Sequence, residues 1–508
     1  MAKTREKAEF GDFQTPDELA AQICRLLSSQ GCEPTTIIEP TCGKGNLLFT
    51  ALNELPSVRH VFGLDISAEY VNIAKARAEQ SKRAADIQIK QGSFFDADWS
   101  KILESLPSPL LIIGNPPWVT NAELGTLKSS NLPEKTNFQN HRGFDAMTGK
   151  SNFDISEWIL IQILHWLNSK NAALAMLCKT AVARKILAYA WKNNITVSNS
   201  AIYRIDALSH FDASVDACLL FCRFSPFSHN FDTPIFNSLE ATEPEQIIGY
   251  RDNEIVASVE KYDLWKHLRG QEKGKWRSGI KHDCSKVMEL TKENELYRNG
   301  LGETVSLETE FLFPMMKSSE IANAANLIPK RWMIVTQKSV QEDTQQIKEL
   351  APKTWEYLQA HAHLLDKRGS SIYKNRARFS IFGIGDYSFS NWKVSISGFY
   401  KKLHFKVIGS YEGKPIVLDD TSYFVPCETK QEAEYIASLL NSEKARAFFE
   451  SFVFWDAKRP ITVDLLRRLN LEKLGQELNA NATWILKRNP TSHCTEARNS
   501  DVVITLPF

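Results

Sequence analysis

Thr35-Thr36-Ile37-Ile38-Glu39-Pro40-Thr41-Cys42-Gly43-Lys44-Gly45-Asn46 reads as a short β-rich run that ends in a glycine loop and feeds a helix, Leu47 to Leu55. Two glycines so close together let the backbone turn tightly and approach a bound nucleotide. Outward from this stretch the pattern alternates. His60 to Asp65 is the next strand, Ala68 to Arg83 the next helix, and Ile87 to Gln91 and Leu110 to Gly114 are further strands. A helix over Ile155 to Leu167 follows, then strands at Ala172 to Cys178, Tyr203 to Ala207 and Ala217 to Phe224. Strands alternating with crossover helices predict an α/β fold with a Rossmann-like, doubly wound, mostly parallel sheet. Such a sheet binds ligands at the C-terminal ends of its strands.

Asp65 closes the second strand twenty residues after Gly45. A carboxylate there is placed to accept hydrogen bonds from ribose hydroxyls. The loop is not a phosphate-binding P-loop, because Lys44 lies between two glycines and no Ser or Thr follows it. Lys44 is expected to be a solvated loop charge. Glycine loop and strand-end acid together point to an adenosine-containing cofactor.

The sharpest feature is Asn115-Pro116-Pro117-Trp118, directly after the apolar strand Leu110 to Gly114. The prolines stiffen the strand exit, and the first biases Asn115 away from helix. Stiffness alone does not explain a polar amide at a buried strand end followed by a large flat aromatic. An exocyclic amino group conjugated to a ring is a poor nucleophile, because its lone pair is delocalised. The Asn115 side-chain carbonyl and the Pro116 backbone carbonyl can each accept one of its protons. That draws the nitrogen towards tetrahedral geometry and aims its lone pair at an electrophile. Trp118 would stack on the ring. No charged base and no metal is needed.

Hydrophobic residues make up 43% of the chain and charged ones 24%, which excludes a disordered chain or a disulfide scaffold. With 61 basic and 60 acidic residues, net charge does not advertise a nucleic-acid partner, so charge has to be read by segment. The first residues lack an apolar core of signal-peptide length, and no stretch stays apolar for the roughly eighteen residues of a membrane helix. Nine cysteines without a CxxC pair point to reduced thiols in a cytoplasm, with neither disulfides nor zinc.

The glycine loop, Asp65 and then the tetrapeptide, with target recognition last, resemble in that order the γ-type N6-adenine-specific DNA methyltransferases of bacterial type II restriction–modification systems. The matching motifs span about residues 10 to 225, with a looser likeness to about 470. The resemblance implies a class I S-adenosylmethionine methyltransferase fold followed by a mixed α+β target-recognition domain. It implies S-adenosylmethionine as cofactor, held by Thr15 of Phe13-Gln14-Thr15-Pro16, by Glu39, Thr41, Gly43 and Gly45, by Asp65 and Ile66, by Ser93 and Phe94, and by Asn115. Ser93 stands where the family usually has Asp, and Asp96 or Asp98 is the candidate replacement for that contact. Phe153-Asp154 and Trp158 fall where a helix beside the cofactor adenine begins. Asn115, Pro116, Pro117 and Trp118 match the catalytic motif, with Trp where Tyr is commoner. Phe211 matches a second aromatic that, with Trp118, sandwiches an adenine extruded from duplex DNA. Further implications are a bacterial cytoplasmic monomer and a separately encoded cognate restriction endonuclease as functional partner.

Domain boundaries are expected at 1–228 (catalytic), 229–260 (a linker marked by Pro234 and Pro244), 261–485 (target recognition) and 486–508 (tail). Gly279 to Cys284 resembles the opening of a recognition domain; His282 and Cys284 in it have no partner pair for a metal. Between Lys367 and Lys406 stand nine basic residues against one acid, Asp386, with nine aromatics interleaved. Lys367, Arg368, Lys374, Arg376, Arg378, Lys401 and Lys402 are therefore expected on a DNA-facing surface. Gln431 to Phe449 reads as one amphipathic packing helix. Competing readings are a bifunctional enzyme with its own nuclease (Asp419 or Asp420 with Glu428-Thr429-Lys430), an RNA adenine methyltransferase and a protein-glutamine methyltransferase. The large second half argues against the last.

Overall fold

Every residue of β1 (Thr36–Glu39) and β4 (Leu110–Gly114) is buried, as parallel strands are when helices cover both faces of their sheet. The computed structural model describes residues 14–118, 154–270, 276–324 and 326–479. β1 pairs in parallel with β2 (His60–Asp65) and with β4, β2 with β3 (Asp86–Gln91), and β4 with β5 (Ala172–Lys179). Flanking the strands are α1 (Asp17–Ser29), α2 (Asn46–Glu54), α3 (Ala68–Glu79), α4 (Trp99–Glu104), α5 (Ile155–Leu167) and α6 (Thr180–Lys192). α1 begins after Pro16 with Asp17 and Glu18 in its first turn, where acids suit the helix dipole, and buries Leu19, Ile23 and Leu27 at helical spacing. α5 is capped by Asp154, whose Oδ1 accepts from the Ser156 N–H at 3.1 Å, and it is buried along most of its length.

β7 (Ala217–Phe224) lies antiparallel between β5 and β6 (Val197–Ile205). β6 starts earlier than expected, and Ala207 belongs to a short helix, α7 (Ala207–Phe211), that Asp206 caps. Beyond β6 the sheet continues through β8 (Asp232–Phe236), β9 (Gln246–Arg251) and β10 (Glu254–Val256). Among the described residues its order is β10-β9-β8-β6-β7-β5-β4-β1-β2-β3.

The expected linker over 229–260 is therefore corrected: β8, β9 and β10 lie within it and extend the sheet. Pro234 looks like a breaker, yet the register between β6 and β8 covers only Ile235 and Phe236, past the proline, so its missing N–H takes no bond from β6. By contacts the chain divides into two compact units between Val259 and Glu260.

The second unit is mixed α+β. One sheet has the order β11 (Arg277–Ser278), β22 (Ser422–Cys427), β17 (Trp392–Ser397), β18 (Lys406–Ile408). A six-stranded sheet runs β14 (Thr304–Val305), β13 (Leu296–Asn299), β12 (Glu289–Glu293), β16 (Arg331–Ile334), β15 (Leu312–Met316), β21 (Val417–Leu418). β19 (Ser410–Tyr411) and β20 (Lys414–Pro415) form a small hairpin. The helix expected over Gln431 to Phe449 is two, Lys430–Leu440 and Glu443–Glu450. Asn441 ends the first by bonding the Phe405 backbone N–H and C=O through its side chain, and the Ser442 hydroxyl caps the second.

Lys393 points inward from β17 and is fully buried, its Nζ donating to the Ser390 carbonyl. Burial pulls its ammonium down from 10.5 to about 7. Between pH 7 and 10 the unfolded chain binds a proton that the folded chain does not, so this group makes stability rise with pH across that window. Lys393→Met is expected to stabilise the second unit at pH 7, by about 2–4 kcal/mol. Calorimetric unfolding at pH 7 and pH 10 should show the pH-dependent rise diminished in the variant.

Candidate active site

The loop from β1 to α2 lies across the C-terminal ends of β1 and β2. Gly43 and Gly45 both take positive φ, 51° and 78°, a conformation that side chains strain. A β-carbon on Gly43 would come within 2.7 Å of the Gln14 amide, and one on Gly45 within 2.7 Å of the Phe49 ring. Asp65 pins this loop: Oδ2 accepts from the Gly43 N–H at 2.7 Å and Oδ1 from the Ser67 N–H at 2.9 Å. A carboxylate accepts more than one hydrogen bond per oxygen. Ile66, next to it, is exposed although apolar.

Glu39 ends β1 buried, with Oε2 accepting from the Leu48 N–H at 3.1 Å at the start of α2. Burial pushes its carboxyl well above the usual carboxylate range. Glu39 thus braces the loop from within. The Thr41 hydroxyl is buried with no hydrogen-bond partner among the described residues, which is the condition of a group whose partner is a ligand. Thr15 is buried, and its carbonyl accepts from the Asn46 side chain at 3.0 Å. Phe13 and Phe153 lie outside the described residues. Lys44 is half-buried, with its ammonium 5.4 Å from the centre of the Tyr70 ring. Orphaned hydroxyl, glycine cradle and strand-end acid together fit a nucleoside-bearing ligand.

After β3, Ser93 Oγ accepts from the Phe95 N–H at 3.1 Å and Asp98 Oδ1 from the Lys101 N–H at 3.1 Å, so both serve as local turn and helix caps. Phe94 is only 6% exposed and packs against Trp99, Trp158 and Trp166 at centroid distances of 5.3, 5.9 and 5.5 Å. Phe95, half-buried against Trp158 at 5.2 Å, is the more accessible ring.

Asn115-Pro116-Pro117-Trp118 leaves β4 at the same edge of the sheet. Trp118 is 6% exposed, and its indole N–H donates to the Leu177 carbonyl on β5 at 3.4 Å. Its ring meets Phe211 edge-to-face, with centroids 5.3 Å apart and planes at 74°. The structure thus brings together Trp118 and Phe211, which are far apart in sequence.

In the second unit the expected basic surface is thinned. Arg368 turns inward, donating to the carbonyls of Leu365 at 2.8 Å and Ser380 at 2.7 Å, with its guanidinium 3.8 Å from the centre of the Tyr373 ring. Arg378 forms a forked pair with Asp366, an acid one residue outside the basic run. Lys393 is buried and Lys406 donates to the Ala324 carbonyl at 2.8 Å. Lys367, Lys374, Arg376, Lys401 and Lys402 are exposed.

Asp419 of the nuclease reading is tied into local structure: it accepts from the Ser318 N–H at 3.2 Å and from the Thr421 and Ser422 hydroxyls at 2.6 Å each. Among the described residues no group of three or more His, Cys, Asp or Glu is placed to hold a metal ion. His282 instead pairs with Glu289 at 3.3 Å. None of the described helices is long and apolar enough to cross a membrane.

A family model described as a methyltransferase domain matches residues 33–105, which contain β1 to α4. Over its length the chain is 46% identical, across 473 residues, to the type II methyltransferase M.NspV of Nostoc sp., covering 93% of this chain and 98% of that protein. Among solved structures, the type IIL restriction-modification enzyme MmeI, determined in complex with DNA, superposes with a TM-score of 0.53 at 13% identity. That match covers 89% of this chain and 64% of MmeI, so the chain spans less than two thirds of that enzyme's length.

Gly45→Ala tests the cradle. A β-carbon at φ 78° against Phe49 is expected to cost about 1–3 kcal/mol of stability. Denaturant unfolding of the variant beside wild type would show it as a lowered midpoint with an unchanged slope.

Proposed function

The chain belongs to the type II methyltransferases, with a first unit of the class I S-adenosylmethionine methyltransferase fold, and we propose that it methylates N6 of adenine in duplex DNA at a specific site. The observation that carries the reading is the Asn115–Trp118 turn, set at the strand-end edge beside the glycine cradle with Phe211 against Trp118. Asn115 Oδ1 and the Pro116 carbonyl would each accept one proton of the adenine amino group, holding its nitrogen with the lone pair forward. Pro117 keeps the turn rigid. Trp118 supplies a face for the base, which has to leave the helical stack to reach it. In the present arrangement Phe211 and Trp118 meet edge-to-face, so taking in a planar base requires that contact to open.

S-adenosylmethionine, when bound, supplies an electrophilic methyl group on sulfur. The orphaned Thr41 hydroxyl and the cradle of Gly43 and Gly45 fit such a group. Asp65 would take its ribose hydroxyls, Ile66 would pack on its adenine, and Thr15, Glu39, Ser93 and Asn115 would complete the surround. Phe94 would pack at its adenine, with the more accessible Phe95 beside it. The enzyme would act in the bacterial cytoplasm as a monomer and protect DNA from a separately encoded restriction endonuclease. Residues 260–485 would read the target sequence, with the exposed Lys367, Lys374, Arg376, Lys401 and Lys402 on phosphates.

Incubation with radiolabelled S-adenosylmethionine and unmethylated duplex, followed by nucleoside digestion, is expected to place label on N6-methyladenine. Asn115→Ala should lower that rate at least about 10²-fold, because one of two acceptors that orient the nitrogen is gone. Label found only in RNA or protein would overturn the reading.

Duplex binding titrated against salt gives a second check. Replacing Lys374, Lys401 and Lys402 together by Gln should reduce the slope of log affinity against log salt by up to about 2.7, roughly 0.9 for each phosphate no longer neutralised. An unchanged slope would remove these residues from the interface.

A further inference from the structure

We propose that Lys179 is a positioning residue for this turn: anchored on Asp154, its ammonium holds the Trp118 carbonyl and sets the plane in which Asn115 and Pro116 present their acceptors. The inference rests on the reading of the turn given above. β4 and β5 are parallel neighbours with Gly114 opposite Met176. The turn that leaves β4 and the residue that ends β5 therefore emerge side by side. Lys179 is that last residue of β5. Its Nζ donates to the Trp118 carbonyl at 3.1 Å and lies 2.7 Å from Asp154 Oδ2. The other oxygen of Asp154 caps α5. One ammonium thus joins the exit of the turn to the start of a helix.

The site is partly dry: the Lys179 side chain is 27% exposed and that of Asp154 only 8%. Screening is weaker there than at a surface pair, and removing one partner strands the other's charge. A neutral donor could satisfy a single carbonyl. An ammonium brings three donors on a long stem, and so can tie two elements at once.

The turn needs such an outside tether at one end. Pro116 and Pro117 fix their own φ angles, and Trp118 is the joint at which the far end of the turn meets β5. Two bonds hold that joint, the indole N–H on Leu177 and the backbone carbonyl on Lys179, both belonging to β5. Without the second, the ring keeps its bond to Leu177 while the peptide plane loses a tether. Misplacement of reacting groups by about 1 Å costs on the order of 10² in rate.

The test compares Lys179→Met, Lys179→Arg, Asn115→Ala and wild type. Three quantities are read: the single-turnover rate of N6-methyladenine formation on unmethylated duplex, S-adenosylmethionine affinity by equilibrium dialysis, and the unfolding midpoint. The Met variant is expected to lose about 10–100-fold in rate with cofactor affinity within about twofold, and the Arg variant to recover most of the rate. A Met variant that is folded and turns over within about twofold of wild type overturns the inference. So does a fall in midpoint and cofactor affinity together that Arg does not rescue, which is the mark of a merely structural ion pair. Should the Met variant not fold, Asp154→Asn, which can still cap α5 but lacks the charge, decides: a rate at least about fivefold down sustains the inference and a wild-type rate ends it. Wild type that forms no N6-methyladenine would instead defeat the functional reading itself.

Discussion

The C-terminal edge of the first sheet is organised by two carboxyl groups that hold opposite ends of one loop. Asp65, at the end of β2, takes the Gly43 and Ser67 N–H groups at 2.7 and 2.9 Å. Glu39, at the end of β1, takes the Leu48 N–H where α2 begins. Gly43 stands in a left-handed conformation where a β-carbon would come within 2.7 Å of the Gln14 amide, so a glycine suits that position. The two acids differ in character. Burial pushes Glu39 up towards its neutral form, whereas Asp65 lies at the rim, where a polar ligand can reach it. On the cofactor reading, the carboxyl that braces the loop and the one that would meet ribose hydroxyls stand on adjacent strands.

From that edge the rest of the site follows by sheet geometry. β4 lies next to β1, and β5 next to β4, so the turn after β4 is flanked on one side by the glycine loop and on the other by the end of β5. β7 runs antiparallel between β5 and β6. The chain leaving β6 therefore enters α7 at the same edge as the β4 turn, and this brings Phe211 to Trp118. No local signal in the sequence joins positions 118 and 211; the strand order does.

Much of this architecture was legible because burial on both faces leaves a plain trace. Leu110–Gly114 and Ile155–Leu167 have the limits that their apolar runs predict. The missed parts share a cause, which is that one residue carried two meanings. Pro234 reads as a breaker but sits in a strand at a position that gives no bond to β6. Asn441-Ser442 reads as two polar residues inside one helix but is a stop and a start. Charge in the basic run was legible as composition and not as exposure. Strand alternation turns Lys393 inward, and Asp366 neutralises Arg378 from one position beyond the run. Lys179 did leave a trace, a cation abutting a fully buried strand. Its partners come from another strand and from before a helix, so spacing could not name them.

The two rings of the candidate base slot are held unequally, and this bears on where discrimination would arise on the adenine reading. Trp118 is tied through its indole nitrogen and its carbonyl to β5. Phe211 is only half-buried and ends a five-residue helix at Asp212, whose φ is 53°. Opening the slot therefore falls to Phe211. An edge-to-face aromatic contact is worth about 0.5–1.5 kcal/mol, and a base stacked on Trp118 would return a comparable sum. Extruding a nucleotide from a duplex costs a few kcal/mol more. The slot is then a weak gate, and selection among adenines must come from whatever offsets extrusion at the right sequence. That places the burden of specificity on contacts with the rest of the duplex, which is the role that a second unit as large as this one would serve.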